Sequence, residues 1–240
     1  MTRIVCLIPL FLLIVACGPG DEEYDPCTDE TVIAFPDPAM DSCIRTEAGI
    51  YHDGSPIRVK DVCHQKYISC IDSAISDLTG LEKMPWLVKL DFNGNPITSL
   101  EPLSNSLDLE MLDIGGGGVS SLTPLSNNTK MILLNASGNQ NISDLKPLEN
   151  KIAMEKIYIG GNQISSISSL ANMTGLRSLS FMKNKIEDIS VTKGLLELEL
   201  LDMEDNCVTD FSPIEYLKEN GNLKTIYGDS AEEQDYARCQ

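Results

Sequence analysis

From Gln65 to Ile214 the apolar residues recur on a fixed skeleton, plainest in Leu87, Leu90, Phe92, Ile97, Leu100 and Leu103 around one asparagine, Asn95. In register with it stand Gly117, Asn139, Asn162, Asn184 and Asn206, so the unit is 22 residues long with a single step of 23. A period in this range marks a solenoid, in which each unit is one coil. Leu90 and Phe92, Leu112 and Ile114, Ile157 and Ile159, Leu179 and Phe181, and Leu201 and Met203 alternate with the residues between them, which predicts a short half-buried strand per coil. The chain then turns at the asparagine, whose amide can bond backbone groups that the bend removes from the sheet. On the return leg the apolar residues are spaced by three, as in Ile97, Leu100 and Leu103 or Ile164, Ile167 and Leu170, a spacing that suits a 3₁₀ turn. Pro102, Pro124, Pro147 and Pro213 sit before the last apolar residue of their coils, where they would break an ordinary helix, so the legs are expected to be extended or 3₁₀.

A coil this short cannot bury its own apolar edge, so adjacent coils must stack around one shared core. Successive strands then lie side by side, parallel and about 4.8 Å apart, in an α/β solenoid. The frame LxxLxLxxNxIxxLxxL at this period resembles the leucine-rich-repeat family in its short, internalin-type variety. That resemblance implies an arc with a parallel sheet on its concave face, a convex side mostly 3₁₀ or extended, and a helical cap before the first coil. The copies are imperfect: Ser73 and Gly117 replace the asparagine, one residue is inserted between Asn139 and Ile142, and the leg SVTKGLL after Ile189 lacks the usual Leu-x-Pro-Leu ending.

Outside the repeats the chain divides into an expected signal at 1–16, a tether at 17–30, a cap at 31–64, the repeats at 65–228 and a polar tail or cap at 229–240. Within the cap, Asp37 as N-cap, Pro38 at the first helical position and Gly49 as stop predict a helix whose Met40, Cys43, Ile44 and Ala48 share one face and cover the first coil. A second short helix is expected over Glu215 to Asn220, followed by a last strand at Leu223, Ile226 and Tyr227. The apolar run up to Ala16 is too short to span a membrane and reads as an export signal. Its end, Ile14-Val15-Ala16-Cys17, resembles the lipobox of bacterial lipoproteins, which implies cleavage before Cys17 and acylation of that cysteine. Gly18 after the cysteine favours, in that family's sorting pattern, the outer membrane of a two-membrane bacterium, and whether the repeats face the periplasm or the surface stays open. Several acyl chains would anchor the protein while the polypeptide stays outside the bilayer.

Net charge is -18, which argues against nucleic acid and against direct adhesion to anionic lipid heads. A solvated acidic exterior is the first expectation for such a balance. Beyond Cys6 and Cys17, the cysteines Cys27, Cys43, Cys63, Cys70, Cys207 and Cys239 are even in number, which in an exported chain suggests disulfides. One arrangement pairs Cys43 on the cap face with Cys70 in the first coil and Cys207 with Cys239 at the far end, leaving Cys27 with Cys63; other connectivities stay open. Cys63, His64 and Cys70 lack the paired spacing of a zinc site. Gly115 to Gly118 lack the Gly-Lys-Ser/Thr ending of a phosphate loop. His52 and His64 are the only histidines, and there is no nucleophile elbow, so neither catalysis nor a metal or cofactor is expected.

Strand residues between the core positions face out on the concave sheet. They form one column of Lys89, Met111, Leu133, Lys156, Ser178 and Leu200, a second of Asp91, Asp113, Asn135, Tyr158, Ser180 and Asp202, and a third that includes Asn93, Ser137, Met182 and Glu204. Met111, Leu133, Tyr158, Met182 and Leu200 are large side chains that the core pattern does not require. With the acidic rim they predict a contact patch for a protein or peptide, on a monomer. The alternative is a passive spacer of the envelope with no discrete ligand.

Overall fold

A computed structural model describes residues 24–235 of the chain. The expected signal, the first half of the tether with Cys17, and Cys239 lie outside the described residues. Strand β1 (Val32–Ile33) pairs antiparallel with β2 (Ile57–Arg58), on either side of helix α1 (Pro38–Ala48). The short helix α2 (Val59–Val62) leads into the first strand of the main sheet. That sheet holds eight parallel strands in sequence order: β3 (Tyr67–Ser69), β4 (Lys89–Asp91), β5 (Met111–Asp113), β6 (Leu133–Asn135), β7 (Lys156–Tyr158), β8 (Ser178–Ser180), β9 (Leu200–Asp202) and β10 (Thr225–Tyr227). Helix α3 (Ser212–Asn220) precedes the last strand. Eight parallel strands in one sheet, joined by 3₁₀ turns, make the molecule a leucine-rich-repeat solenoid.

Each coil buries its alternating strand residues and its three-spaced residues in one continuous core, in which Phe92, Ile114, Ile159 and Phe181 are fully enclosed. The asparagines line up beside them and tie coil to coil. Asn95 Oδ1 accepts from the amides of Ser73 (3.0 Å) and Ile75 (2.9 Å), while its Nδ2 donates to the carbonyls of Cys70 (2.6 Å) and Phe92 (2.8 Å). Asn139, Asn162, Asn184 and Asn206 repeat the bond from Nδ2 to the carbonyls of their own and the preceding coil. In each case a buried bend is satisfied by one side chain, which is why an amide, both donor and acceptor, is the residue used. The inserted residue after Asn139 is absorbed locally: Gln140 takes a left-handed conformation with φ 68°.

Three of the four prolines lie in 3₁₀ legs, as expected, and the fourth opens an α-helix instead. Pro102, Pro124 and Pro147 stand in the first turn of the 3₁₀ segments Glu101–Leu103, Thr123–Leu125 and Lys146–Leu148, where an N–H has no partner to lose. Pro213 likewise opens α3, which begins at Ser212 and not at the expected Glu215. In the leg that lacks the usual ending, Thr192 is fully buried in the leucine position, and its Oγ1 donates to the Ile189 carbonyl at 2.8 Å, so the hydroxyl is satisfied within the turn.

At the N-terminal end α1 starts on Asp37 and stops at Gly49 in the left-handed conformation. One oxygen of Asp37 accepts from the amides of Ala39 and Met40, and the other accepts from Ser76 N (2.7 Å), Ser76 Oγ (3.0 Å) and Asp77 N (3.1 Å). A single carboxylate thus caps the helix and holds it to the first coil. Disulfides join Cys43 to Cys70, across the same junction, and Cys27 to Cys63. Cys207 is also disulfide-bonded.

At the other end the stretch expected to be a polar tail or cap supplies a core group. Gln234 is buried; its Oε1 accepts from the amides of Asn206 (3.2 Å) and Val208 (3.4 Å), and its Nε2 donates to the Gly228 carbonyl (2.7 Å). These are the bonds that a ladder asparagine of one further coil would make, delivered from a non-repeating segment by a side chain one methylene longer.

A second buried polar line runs through the turns that follow the 3₁₀ segments. Asn128 Nδ2 donates to the Ser106 carbonyl at 2.7 Å, and Lys151 Nζ donates to the carbonyls of Leu125 (2.6 Å) and Asn128 (3.0 Å). Met84, Met173 and Leu195 hold the same place in the flanking coils, all fully buried. Burial pushes the Lys151 ammonium down to about 8.

Candidate partner-binding face

Strand parity decides which side chains reach the concave surface, and strand register decides which of them are neighbours. The pairing runs Lys89 to Met111, Met111 to Leu133, Leu133 to Lys156, Lys156 to Ser178 and Ser178 to Leu200. Alongside it run Asp91, Asp113, Asn135, Tyr158, Ser180 and Asp202. Most of these residues are half-buried, Lys156 is exposed, and Ser178 is enclosed, its hydroxyl donating to the Tyr158 phenol oxygen at 3.2 Å.

The structure gathers only part of this surface into a concavity. An open depression of about 450 Å³ lies at the cap end, lined by Lys89, Asp91, Met111, Asp113 and Leu133 together with Tyr67, Ser69 and Glu47. Asn135, Lys156, Tyr158, Met182, Leu200 and Asp202 lie outside it, farther along the sheet. Tyr67, Ser69 and Glu47 are additions to the expected columns: the first two belong to the divergent first coil and the third to the cap helix. The signal for Tyr67 was present in its spacing of 22 residues from Lys89.

Charge and hydrogen bonding order the depression. Lys89 Nζ stands 5.1 Å from the centre of the Tyr67 ring, a cation–π contact. Asp113 accepts from Asn93 Nδ2 (3.0 Å), Asn135 Nδ2 (2.9 Å) and Gly115 N (3.0 Å), which fixes its carboxylate in place. The glycine is needed there: a Cβ on Gly115 would lie 2.6 Å from Asn93 Nδ2. Gly115 therefore makes room for two converging amides, those of Asn93 and Asn135. At the far end Asp202 accepts from Ser180 Oγ at 2.9 Å. Partial burial, with Asp202, Glu233 and Asp205 nearby, holds the Glu204 carboxyl above its usual range.

Cys27, Cys63 and His64 place their ligand atoms within 4.8 Å of one another, a group of three among the described residues. Both sulfurs are committed to the disulfide that joins them, and Cys70 to its own with Cys43, so no thiolate remains to join His64 in holding a cation.

No family profile matches the sequence, and no curated protein matches it. Among solved structures the chain is similar to internalin C2 of Listeria monocytogenes, at 25% identity and a TM-score of 0.76, covering 88% of this chain and 94% of that one. It is also similar to the internalin InlF of the same organism, at 23% identity and a TM-score of 0.67, covering 88% of this chain and 66% of the other. The similarity spans cap and repeats together, and the fold of this chain is the leucine-rich-repeat solenoid in its internalin-like form.

Proposed function

We propose that this chain is a lipid-anchored protein of the bacterial cell envelope that binds a protein or peptide on the concave face of its sheet. The observation that carries the reading is the open depression whose apolar floor, Met111 and Leu133, the core does not use. Burying a Leu or Met side chain against a partner contributes roughly 1.5–3 kcal/mol each, enough for two or three anchors to dominate a contact. A parallel sheet face that carries Met111, Leu133 and Tyr158 on β5, β6 and β7, and Leu200 on β9, offers such anchors on a rigid base.

Leu133→Ser together with Tyr158→Ser should leave the repeat fold intact, since neither side chain is in the buried core, and should lower affinity for a partner cross-linked in intact cells by at least about tenfold. Unchanged capture would count against the face, and diffuse cross-links without a discrete product would favour a passive spacer.

Export and anchoring rest on the signal-like start and Cys17, and are supported by the Cys27–Cys63 and Cys43–Cys70 disulfides, which belong to an oxidising compartment. Gly18 favours the outer membrane. A Cys17→Ser variant should lose fatty-acid label and leave the membrane fraction; label retained on that variant would refute the anchor.

A further inference from the structure

We propose that the cap end of the concave face seats an arginine of an extended partner segment, with its carbon stem on Met111 and Leu133 and its guanidinium between Asp91 and Asp113. This deepens the concave-face reading and rests on it.

Asp91 and Asp113 lie directly opposite one another in register on adjacent strands, only about 4.8 Å apart along the sheet. Two like charges therefore stand side by side on neighbouring strands. Among the described residues no lysine, arginine or histidine nitrogen lies within ion-pair distance of either carboxylate. Lys89, beside Asp91 on the same strand, stands over the Tyr67 ring instead. The three donors to Asp113 are all neutral, so they orient its charge without cancelling it. Asp91 accepts a single longer bond, 3.2 Å from Asn93 N. With Glu47 at the rim, three carboxylates face one ammonium around the depression.

A half-buried pair of carboxylates, one of them held in place by three donors, is complementary to a cation, and the fork of a guanidinium bonds two carboxylates at once where an ammonium is a point charge. The apolar floor adjoining the pair matches the stem of the same side chain, which lays its methylenes on greasy surface while its head stays polar. The occupant is therefore a peptide segment with an arginine flanked by apolar residues, and not an acidic or purely apolar one.

The test is selection of a random linear-peptide library displayed on phage against the full chain, followed by fluorescence titration of an enriched peptide. Enrichment of arginine beside apolar residues is expected. The Asp91→Asn, Asp113→Asn double variant should weaken the enriched peptide by at least about tenfold, and raised salt should weaken it on the unaltered protein. Asn135 already occupies the same column, so the amide fits the register. Should the double variant misfold, the peptide's own Arg→Gln form, titrated on the unaltered protein, must show the same loss. Peptides without a basic residue, or an affinity indifferent to both changes, overturn the arginine seat. If Leu133→Ser still weakens those peptides, the concave-face reading survives. If it does not, or if nothing is enriched, both fall.

Discussion

Asp37→Ala should cost the folded chain about 3–4 kcal/mol. Loss of an N-cap alone costs about 1 kcal/mol, and hydrogen bonds to a charged acceptor contribute about 1.5–3 kcal/mol. Both losses fall on one buried carboxylate, because its second oxygen serves the backbone of Ser76 and Asp77 in the first coil. The Cys43–Cys70 disulfide keeps helix and coil tethered, so the defect should appear as a lowered denaturation midpoint and not as detachment. Asp37→Asn keeps an acceptor for the helix and should cost less.

The pH dependence has a definite sign. Burial raises the Asp37 carboxyl, but the hydrogen bonds from Ser76, Asp77 and Ala39 outweigh it and hold the group below its ordinary range. Its stabilising contribution is therefore complete above the unfolded value of about 3.9 and fades as pH falls through the lower folded value. The Ala variant should show a shallower acid limb than the parent in that window. Equal midpoints and parallel acid limbs would show that the clamp carries no such load.

Lys151→Met should raise stability at neutral pH by about 2–3 kcal/mol. The ammonium is fully enclosed, and burial drives it from 10.5 to about 8, a gap worth on the order of 3 kcal/mol. Its bonds to the carbonyls of Leu125 and Asn128 offset only part of that cost, and the Leu125 carbonyl keeps the Asn128 amide as a second donor. Methionine already fills the same place at Met84 and Met173, both fully buried, so the side chain suits the site.

With the folded value below the unfolded one, the unfolded chain binds the proton more tightly. The penalty is thus complete below pH 8 and is relieved as pH rises toward 10.5. Denaturation midpoints of the parent should climb across that window, against whatever other groups contribute, and the climb should be smaller in the Met variant. A lower midpoint for Lys151→Met at pH 7 would mean that the lysine's bonds to Leu125 and Asn128 outweigh its desolvation.

Much of this architecture is legible in one dimension. A solenoid repeats by translation, so a 22-residue period and strand parity are enough to assign core, ladder and concave columns, and Asp37, Pro38 and Gly49 are enough to bound α1. Both kinds of signal are local and depend on backbone geometry that every coil shares. Packing against particular neighbours decided the rest. Lys151 and Asn128 look like surface residues by type, and they are buried because carbonyls of the preceding turn await donors. Gln234 becomes a ladder residue only when the tail folds back on the last coil, and Glu47 joins Asp91 and Asp113 only when the cap docks beside the first strands. A spacing rule says which way a side chain faces; which unpaired groups it meets there is a property of the assembled coils.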